Sequence, residues 1–533
     1  MSKDFSIVLK LLKNKEFIKA EKECSILINK VNPNYELHNI YAVILFQLKK
    51  YDSAIMEWQK SIKLNSDYHY GYNNLGNAFL MKNDLDEALK NYDLAIKINP
   101  NYYEAIYNKA NIFSKLNDFT NALKNYDKVL SIKQDYVSAY EGKARVYKKI
   151  EKFNEAINEW QKIINLSPHN EKAYIEKANL LFDKDILEEA LSCYKKAYDI
   201  NPNKPFLLGN IIYAKTRMCE WDGLEEVIED IRLKIEQNIK VLLPYTSLTI
   251  FDDPSIHLKV AKIWAEEHNK KDYYSARKIE KKIKKKKIKI GYFSADFHDH
   301  PVAQLITRTL ELHDRSKFQV HAYAFDPKKQ DDKNRERVIK AVDQFTDVSE
   351  LSDEQVAKLA REHSIDIAID LTGYTRYTRA GIFAYRAAPI QINYLGFPGT
   401  MGTNFMDYII TDGTLVPDQF KQYYSEHTIQ LPHTYMPTDN TRPISDKVVT
   451  RANMNLPTQG FVFCAFNNSY KITPREFDIW MRLLLKVQGS VLWLRDSNKW
   501  SKENLCKEAK ARGVEPSRLI FASRIPMDEH LAR

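Results

Sequence analysis

The chain has 533 residues, 44% hydrophobic and 28% charged, which at roughly 150 residues per domain suggests three to four domains and excludes global disorder. Its five cysteines (Cys24, Cys193, Cys219, Cys464, Cys506) show no paired spacing, which excludes a cysteine-based zinc site and fits a reducing compartment. The net charge of +10 invites a nucleic-acid reading, but no zinc-finger spacing or aromatic-basic RNA motif accompanies it.

The N-terminal MSKDFSIVLKLLKNKEF is too polar for a signal peptide, and no run of about 18 apolar residues could span a membrane. A cytoplasmic protein is expected. Only four glycines (Gly71, Gly76, Gly142, Gly209) fall in the first 210 residues, against ten from Gly291 to Gly513. The front is therefore expected to be helical and the back to be built differently.

Alanines recur 34 residues apart at Ala20, Ala54, Ala88, Ala122, Ala156 and Ala190. Four positions after the last five stand Trp58, Tyr92, Tyr126, Trp160 and Tyr194, and prolines close units at Pro100, Pro168 and Pro202. Each unit reads as two helices joined by a polar turn such as Lys82-Asn83-Asp84. The small residue lets the second helix approach the first, and the bulky one fills the groove a turn later. The pattern resembles the tetratricopeptide repeat at Tyr72, Leu75, Gly76, Phe79, Ala88, Tyr92, Ala95 and Pro100. About six units cover residues 1–204 as an α solenoid, a module suited to extended peptides. Residues 205–285 lose the register and read as a helical adaptor followed by a basic linker. Eight lysines crowd into Lys278–Lys289, a solvated run or, alternatively, a docking patch for an acidic surface.

From Ile288 strands and helices alternate. IKIGYFS (288–294), KFQVHAYAF (317–325), IDIAIDL (365–371), IQINYLG (390–396) and MDYIITD (406–412) read as strands. Ser352 to Gln355 reads as a capping box, and RAGIFAYRAA as a helix. This is βαβ alternation, hence a Rossmann-like domain over 286–440. A polar stretch from Pro437 to Gly460 reads as a linker. A second such domain, over 441–533, begins with FVFCAFN (461–467), the Thr473-capped helix REFDIWMRLLLKVQ, SVLWLRD and RLIFAS. Three strands are half of a doubly wound domain, so this second domain is expected to be incomplete.

Ligands of open α/β sheets bind beyond the carboxyl ends of the strands. No G-x-G-x-x-G or G-x-x-x-x-G-K-[ST] loop follows any strand, which argues against NAD(P) enzymes and P-loop NTPases. No Asp-x-Asp pair occurs between 286 and 533, so phosphate charge would fall to lysine, arginine and a helix N-terminus rather than to a metal.

The segments GYFSADFHDHPVAQLI, LTGYT, APIQINYLGFPGTMG, MDYIITD, YSE, FNNSYKITP, SVLWL and EHLAR occur in an order similar to that of the O-linked N-acetylglucosamine transferases, glycosyltransferase family 41, above all their bacterial branch. The resemblance implies a GT-B type catalytic region and inverting, metal-independent transfer of N-acetylglucosamine from UDP-GlcNAc to Ser or Thr hydroxyls. The UDP-sugar is then a co-substrate, with no cofactor. By the same resemblance His300 is a candidate general base, and Lys471 neutralises the diphosphate leaving group. Leu395, Gly396 and Tyr470 line the sugar pocket, Asn468 reaches phosphate, and His530 and Arg533 hold the uracil. Met527 stands where animal members carry a nucleotide-contacting lysine. Of the family's concave asparagines Asn74 and Asn108 are present, whereas Ile40, Gly142 and Glu176 fill the equivalent places. The expected partners are UDP-GlcNAc and polypeptide acceptors along the array, with neither nucleic acid nor membrane. Alternatives are a fucose or glucose donor, or a non-catalytic repeat scaffold.

Overall fold

The computed structural model describes residues 3–30, 34–268, 287–325 and 332–533. Of the lysine-rich stretch, 278–286 lies outside the described residues. The chain divides into two compact units, Met1–Ile200 and Asn201–Arg533.

The first unit is six helix pairs, from Lys3–Lys13 with Phe17–Lys30 to Glu171–Asp183 with Leu187–Ile200. All six register alanines have no exposed surface. Their small size meets bulk elsewhere: a methyl on Gly76 would lie 2.7 Å from the Tyr92 ring, and one on Gly142 2.4 Å from that of Tyr126. Each turn within a pair carries one left-handed residue, Lys15, Lys49, Asn83, Asn117, Glu151 and Asp185, again 34 apart. The core tyrosines also order polar neighbours. The hydroxyls of Tyr92, Tyr126 and Tyr194 each donate at 2.7 Å to an asparagine fifteen residues earlier: Asn77, Asn111 and Asn179.

The second unit opens with helices Leu207–Arg217, Leu224–Glu236, Pro244–Ile250 and Pro254–His268. His257 there bonds the Phe251 carbonyl at 2.9 Å, and Trp221 packs edge-on to Phe477, so both are structural. A seven-stranded parallel sheet follows: β1 (Ile288–Ser294), β2 (Phe318–Ala324), β3 (Gln344–Asp347), β4 (Ile367–Asp370), β5 (Ile390–Asn393), β6 (Tyr408–Asp412) and β7 (His427–Leu431). Their spatial order is β3-β2-β1-β4-β5-β6-β7. Alternate residues feed two cores, Phe293 with Tyr323, Phe383 and Phe397 on one face, and Tyr292 with Ile306, Leu310 and Ile369 on the other. A smaller parallel sheet, β8 (Val462–Ala465), β9 (Val491–Arg495) and β10 (Leu519–Ala522), runs in the order β10-β9-β8. Its core joins Phe477, Met481 and Leu484 to Leu492, Leu494 and Leu505, residues worth about 1.5–3 kcal/mol each on full burial.

Several local expectations change. β3, β7 and the helix Lys333–Lys340 join the five strands read from sequence, and the helix in RAGIFAYRAA is only Gly381–Ala384. The Ser352–Gln355 capping box forms as read. Thr473 occupies the N-cap position but turns its hydroxyl to the Glu476 carboxylate, leaving the backbone without a side-chain cap. Part of the polar stretch after Pro437 is anchored: Asp439 is buried against Arg337, which also reaches Thr441.

Candidate active site

In the large sheet the chain order reverses between β1 and β4, so the loops leaving these strands diverge and open a crevice. Main chain and side chains tie its walls together. The Asp296 N–H donates to Ser294 Oγ at 2.9 Å, and the Ala295 N–H donates across the crevice floor to Thr372 Oγ1 at 3.1 Å. Asp370, the last residue of β4, accepts the Thr372 and Gly373 N–H groups at 2.9 and 3.0 Å. Its burial pushes the carboxyl up to about 6, with the two N–H bonds pulling the other way. His300 caps the helix Pro301–Leu312 at the mouth of this crevice. Its Nδ1 accepts from the Val302 N–H at 3.3 Å and lies 3.6 Å from Asp296 Oδ1, with 40% of the side chain exposed. An exposed imidazole beside a carboxylate is chemically able to take a proton.

The loop after β5 carries Leu395 and Gly396. Leu395 is held at φ +70, a left-handed conformation that costs a non-glycine residue about 1 kcal/mol or more. Gly396 is required by the protein's own packing, because a methyl there would lie 2.0 Å from the Leu371 carbonyl oxygen. The loop is fastened from beneath. Asn393 donates to the carbonyls of Phe397 and Gly399 at 3.0 and 3.2 Å, and Tyr374 OH donates to that of Met401 at 2.8 Å. Buried Glu426, from the YSE segment, accepts the Met401 N–H at 2.6 Å and the Thr400 hydroxyl at 2.7 Å. Leu395 and Gly396 therefore stand on a rigid support beside Thr372.

Cations follow each of the small sheet's three strand ends. After β8, Asn468 and the single turn Ser469–Lys471 lead into the helix Pro474–Lys486. Lys471 is exposed and has no ion pair among the described residues. Ser469 Oγ and Asn498 Nδ2 both donate to the Arg217 carbonyl, at 2.7 and 3.0 Å, anchoring this loop on the helix Leu207–Arg217. Tyr470 packs against Tyr213 at 5.5 Å between centroids, and its hydroxyl meets that of Tyr245 at 2.8 Å and Asn468 Nδ2 at 3.2 Å. Tyr245 in turn packs on the core beneath the β5 loop, so it links the two sheets' loops through one side chain. At the end of β9, Arg495 donates to Asn468 Oδ1 at 2.5 Å. After β10, on the short helix Met527–Ala532 and the residue beyond it, Arg533 donates to His530 Nδ1 at 2.8 Å and lies over the Phe466 ring at 4.7 Å. Because arginine always donates, His530 Nδ1 is an acceptor and a proton on the neutral ring resides on Nε2. Burial, Arg533 and Arg495 together depress the His530 pKa, which favours that neutral form.

The structure thus gathers Leu395 with Gly396, Asn468 with Tyr470 and Lys471, and His530 with Arg533, while His300 stands with Asp296 at the first crevice. Sequence reasoning missed Asp370, Glu426, Arg495 and Tyr245 as individual site residues. Asp370 and Arg495 end their strands, a position the open-sheet rule could have flagged. Nothing in the sequence pairs Tyr245 with a residue 225 positions away. Among the described residues, no helix is long and apolar enough to cross a membrane.

Residues 256–446 and 437–533 match the glycosyl transferase family 41 profile, more than half of the chain. The chain belongs to that family. Tetratricopeptide profiles match 69–102, 103–136 and 171–204, and a further repeat profile matches 43–83. A probable UDP-N-acetylglucosamine–peptide N-acetylglucosaminyltransferase of Arabidopsis thaliana is 35% identical over 253 residues, 46% of this chain and 26% of that protein. The corresponding Caenorhabditis elegans enzyme is 26% identical over 360 residues, 46% of this chain and 31% of its own length. The aligned part of this family 41 chain thus spans only about a quarter to a third of these curated relatives. The solved structure of a Thermobaculum terrenum O-GlcNAc transferase mutant superposes with a TM-score of 0.53 at 22% identity, covering 81% of this chain and 76% of that one. It bears out the fold: a repeat solenoid followed by a GT-B type α/β region.

Proposed function

We propose that this family 41 chain serves inverting, metal-independent transfer of N-acetylglucosamine from UDP-GlcNAc to Ser and Thr hydroxyls of polypeptides recruited along the repeat array. The proposed setting is the cytoplasm, with the UDP-sugar as co-substrate and no resident cofactor. The observation that carries the reading is Lys471, an exposed ammonium one turn before the N-terminus of the thirteen-residue helix Pro474–Lys486, at a strand's carboxyl end. In this reading the acceptor oxygen bonds to the anomeric carbon on the face opposite UDP. The bond from that carbon to the β-phosphate oxygen breaks, and its electron pair leaves with UDP. Lys471 and the N–H groups of that helix meet the charge as it develops. The acceptor's proton goes to His300 or to water. Leu395, Gly396 and Tyr470 wall the sugar, and His530 and Arg533 hold the base.

The Arabidopsis and nematode relatives, both named as UDP-N-acetylglucosamine–peptide N-acetylglucosaminyltransferases, favour UDP-N-acetylglucosamine as donor. Calorimetry with UDP-GlcNAc, UDP-glucose and GDP-fucose, each with and without EDTA, tests the reading. UDP-GlcNAc should bind most tightly and EDTA should leave its affinity unchanged. Preference for another donor, or affinity abolished by chelation, would overturn it.

A further inference from the structure

Each strand of the small sheet ends in a loop that offers a cation, yet only Lys471 and Arg533 have a part in the reading above. The third is Arg495. The order β10-β9-β8 sets β9 between the strand that leads to Lys471 and the strand that leads to His530 and Arg533. In the proposed function the first group holds the diphosphate and the second the uracil, so the carboxyl end of β9 lies under the ribose and the α-phosphate between them. Arg495 is the last residue of β9 and is exposed. It has no carboxylate at ion-pair distance among the described residues; its one hydrogen bond there is to Asn468 Oδ1 at 2.5 Å. That bond spends one of five N–H donors and aims the guanidinium toward the Lys471 loop. The positive field of Arg495 also reaches His530, whose pKa it depresses alongside burial and Arg533. Arg495 and Arg533 both bring positive charge to the His530 ring, and a bound dianion would be attracted to that field.

We infer that Arg495 is a nucleotide-binding residue that contacts the diphosphate of the UDP-sugar. This rests on the donor assignment above. Its forked donors suit two phosphate oxygens at once.

The test measures UDP affinity by calorimetry and uridine binding by ligand-observed NMR, in the parent chain and in R495Q and R495K. R495Q should weaken UDP about 10- to 100-fold, the usual worth of a charge-assisted pair, and leave uridine binding unchanged. R495K, which keeps the charge and loses the fork, should bind UDP with an affinity between those of the parent and R495Q. UDP affinity in R495Q equal to the parent's would overturn the inference. So would a parallel loss of uridine, which moves Arg495 to the base. A parent chain that binds neither ligand sinks the donor reading itself, and is told apart from a failure of Arg495 because no variant is needed to see it. Unchanged thermal unfolding in both variants, expected for an exposed side chain, confirms that the fold is intact.

Discussion

Gly396→Ala probes how the site is supported. The added methyl would sit 2.0 Å from the Leu371 carbonyl oxygen, 3.0 Å from its carbon and 3.4 Å from Thr372 Cα. Ordinary contact begins near 3.4 Å, so the β5 loop must retreat by about 1.4 Å from the end of β4. Neither wall yields easily. The Leu371 N–H is bonded to the Phe293 carbonyl, the Thr372 N–H is held by Asp370, and the loop is pinned by Asn393 and Glu426. Overpacking against backbone should therefore cost at the upper end of the usual range, about 2–3 kcal/mol. With an unfolding entropy of about 0.7 kcal/mol/K for a unit the size of Asn201–Arg533, Tm should fall by roughly 3–4 °C, read by differential scanning fluorimetry. Calorimetry adds the discriminating result. UDP-GlcNAc affinity should fall while UDP affinity stays within about twofold, because the residues assigned to the nucleotide stand on the other sheet. A variant with parental Tm and parental UDP-GlcNAc affinity would refute the packing argument. An equal loss of UDP and UDP-GlcNAc would refute the separation of sugar and nucleotide walls.

How much of this was legible in the sequence depended on whether the signal was local. The solenoid declared itself because Ala20 to Ala190 and Trp58 to Tyr194 restate one packing solution at a fixed period, and the structure buries every one of those alanines completely. β1 and β2 were legible because both faces are covered, so IKIGYFS and FQVHAYA read as continuous apolar runs. β3 (QFTD) and β7 (HTIQL) were not, because they are the edge strands and stay half exposed. The helix KNRERVIK has almost no apolar face; Asp332 caps it, and Arg335 ties it to Asp347 at 3.1 Å. The candidate site followed the same division. His300, Lys471 and Gly396 fall in loops whose motifs carry the family resemblance. Tyr245 and Glu426 act through contacts to residues distant in the chain, which no window along the sequence contains.

Three further predictions rest on these assignments. Lys471→Ala should lower turnover about 10²–10³-fold in a transfer assay with Tm unchanged, because an exposed loop lysine has no part in the core, and His300→Ala should cost less because water can also take the proton. Ala156→Leu should overpack a site with no free surface, costing about 1–3 kcal/mol in urea unfolding and weakening acceptor binding, while UDP affinity stays at the parent value. The last concerns Asp370, whose carboxyl is raised from 3.8 to about 6 by burial. A raised folded-state pKa means that the protonated form is favoured by the fold, so its stabilising contribution is complete below about pH 4 and is lost as pH rises through 6. The two units of difference correspond to about 3 kcal/mol. Asp370→Asn keeps an oxygen to accept the Thr372 and Gly373 N–H groups and cannot ionise. Between pH 4 and 7 the variant should therefore gain about 3 kcal/mol on the parent chain in urea unfolding, starting from equal or lower stability at pH 4. A stability difference that stays constant across that range would mean Asp370 does not titrate there. The charge at the end of β4 would then be carried at no cost, and the two backbone N–H groups would outweigh its burial.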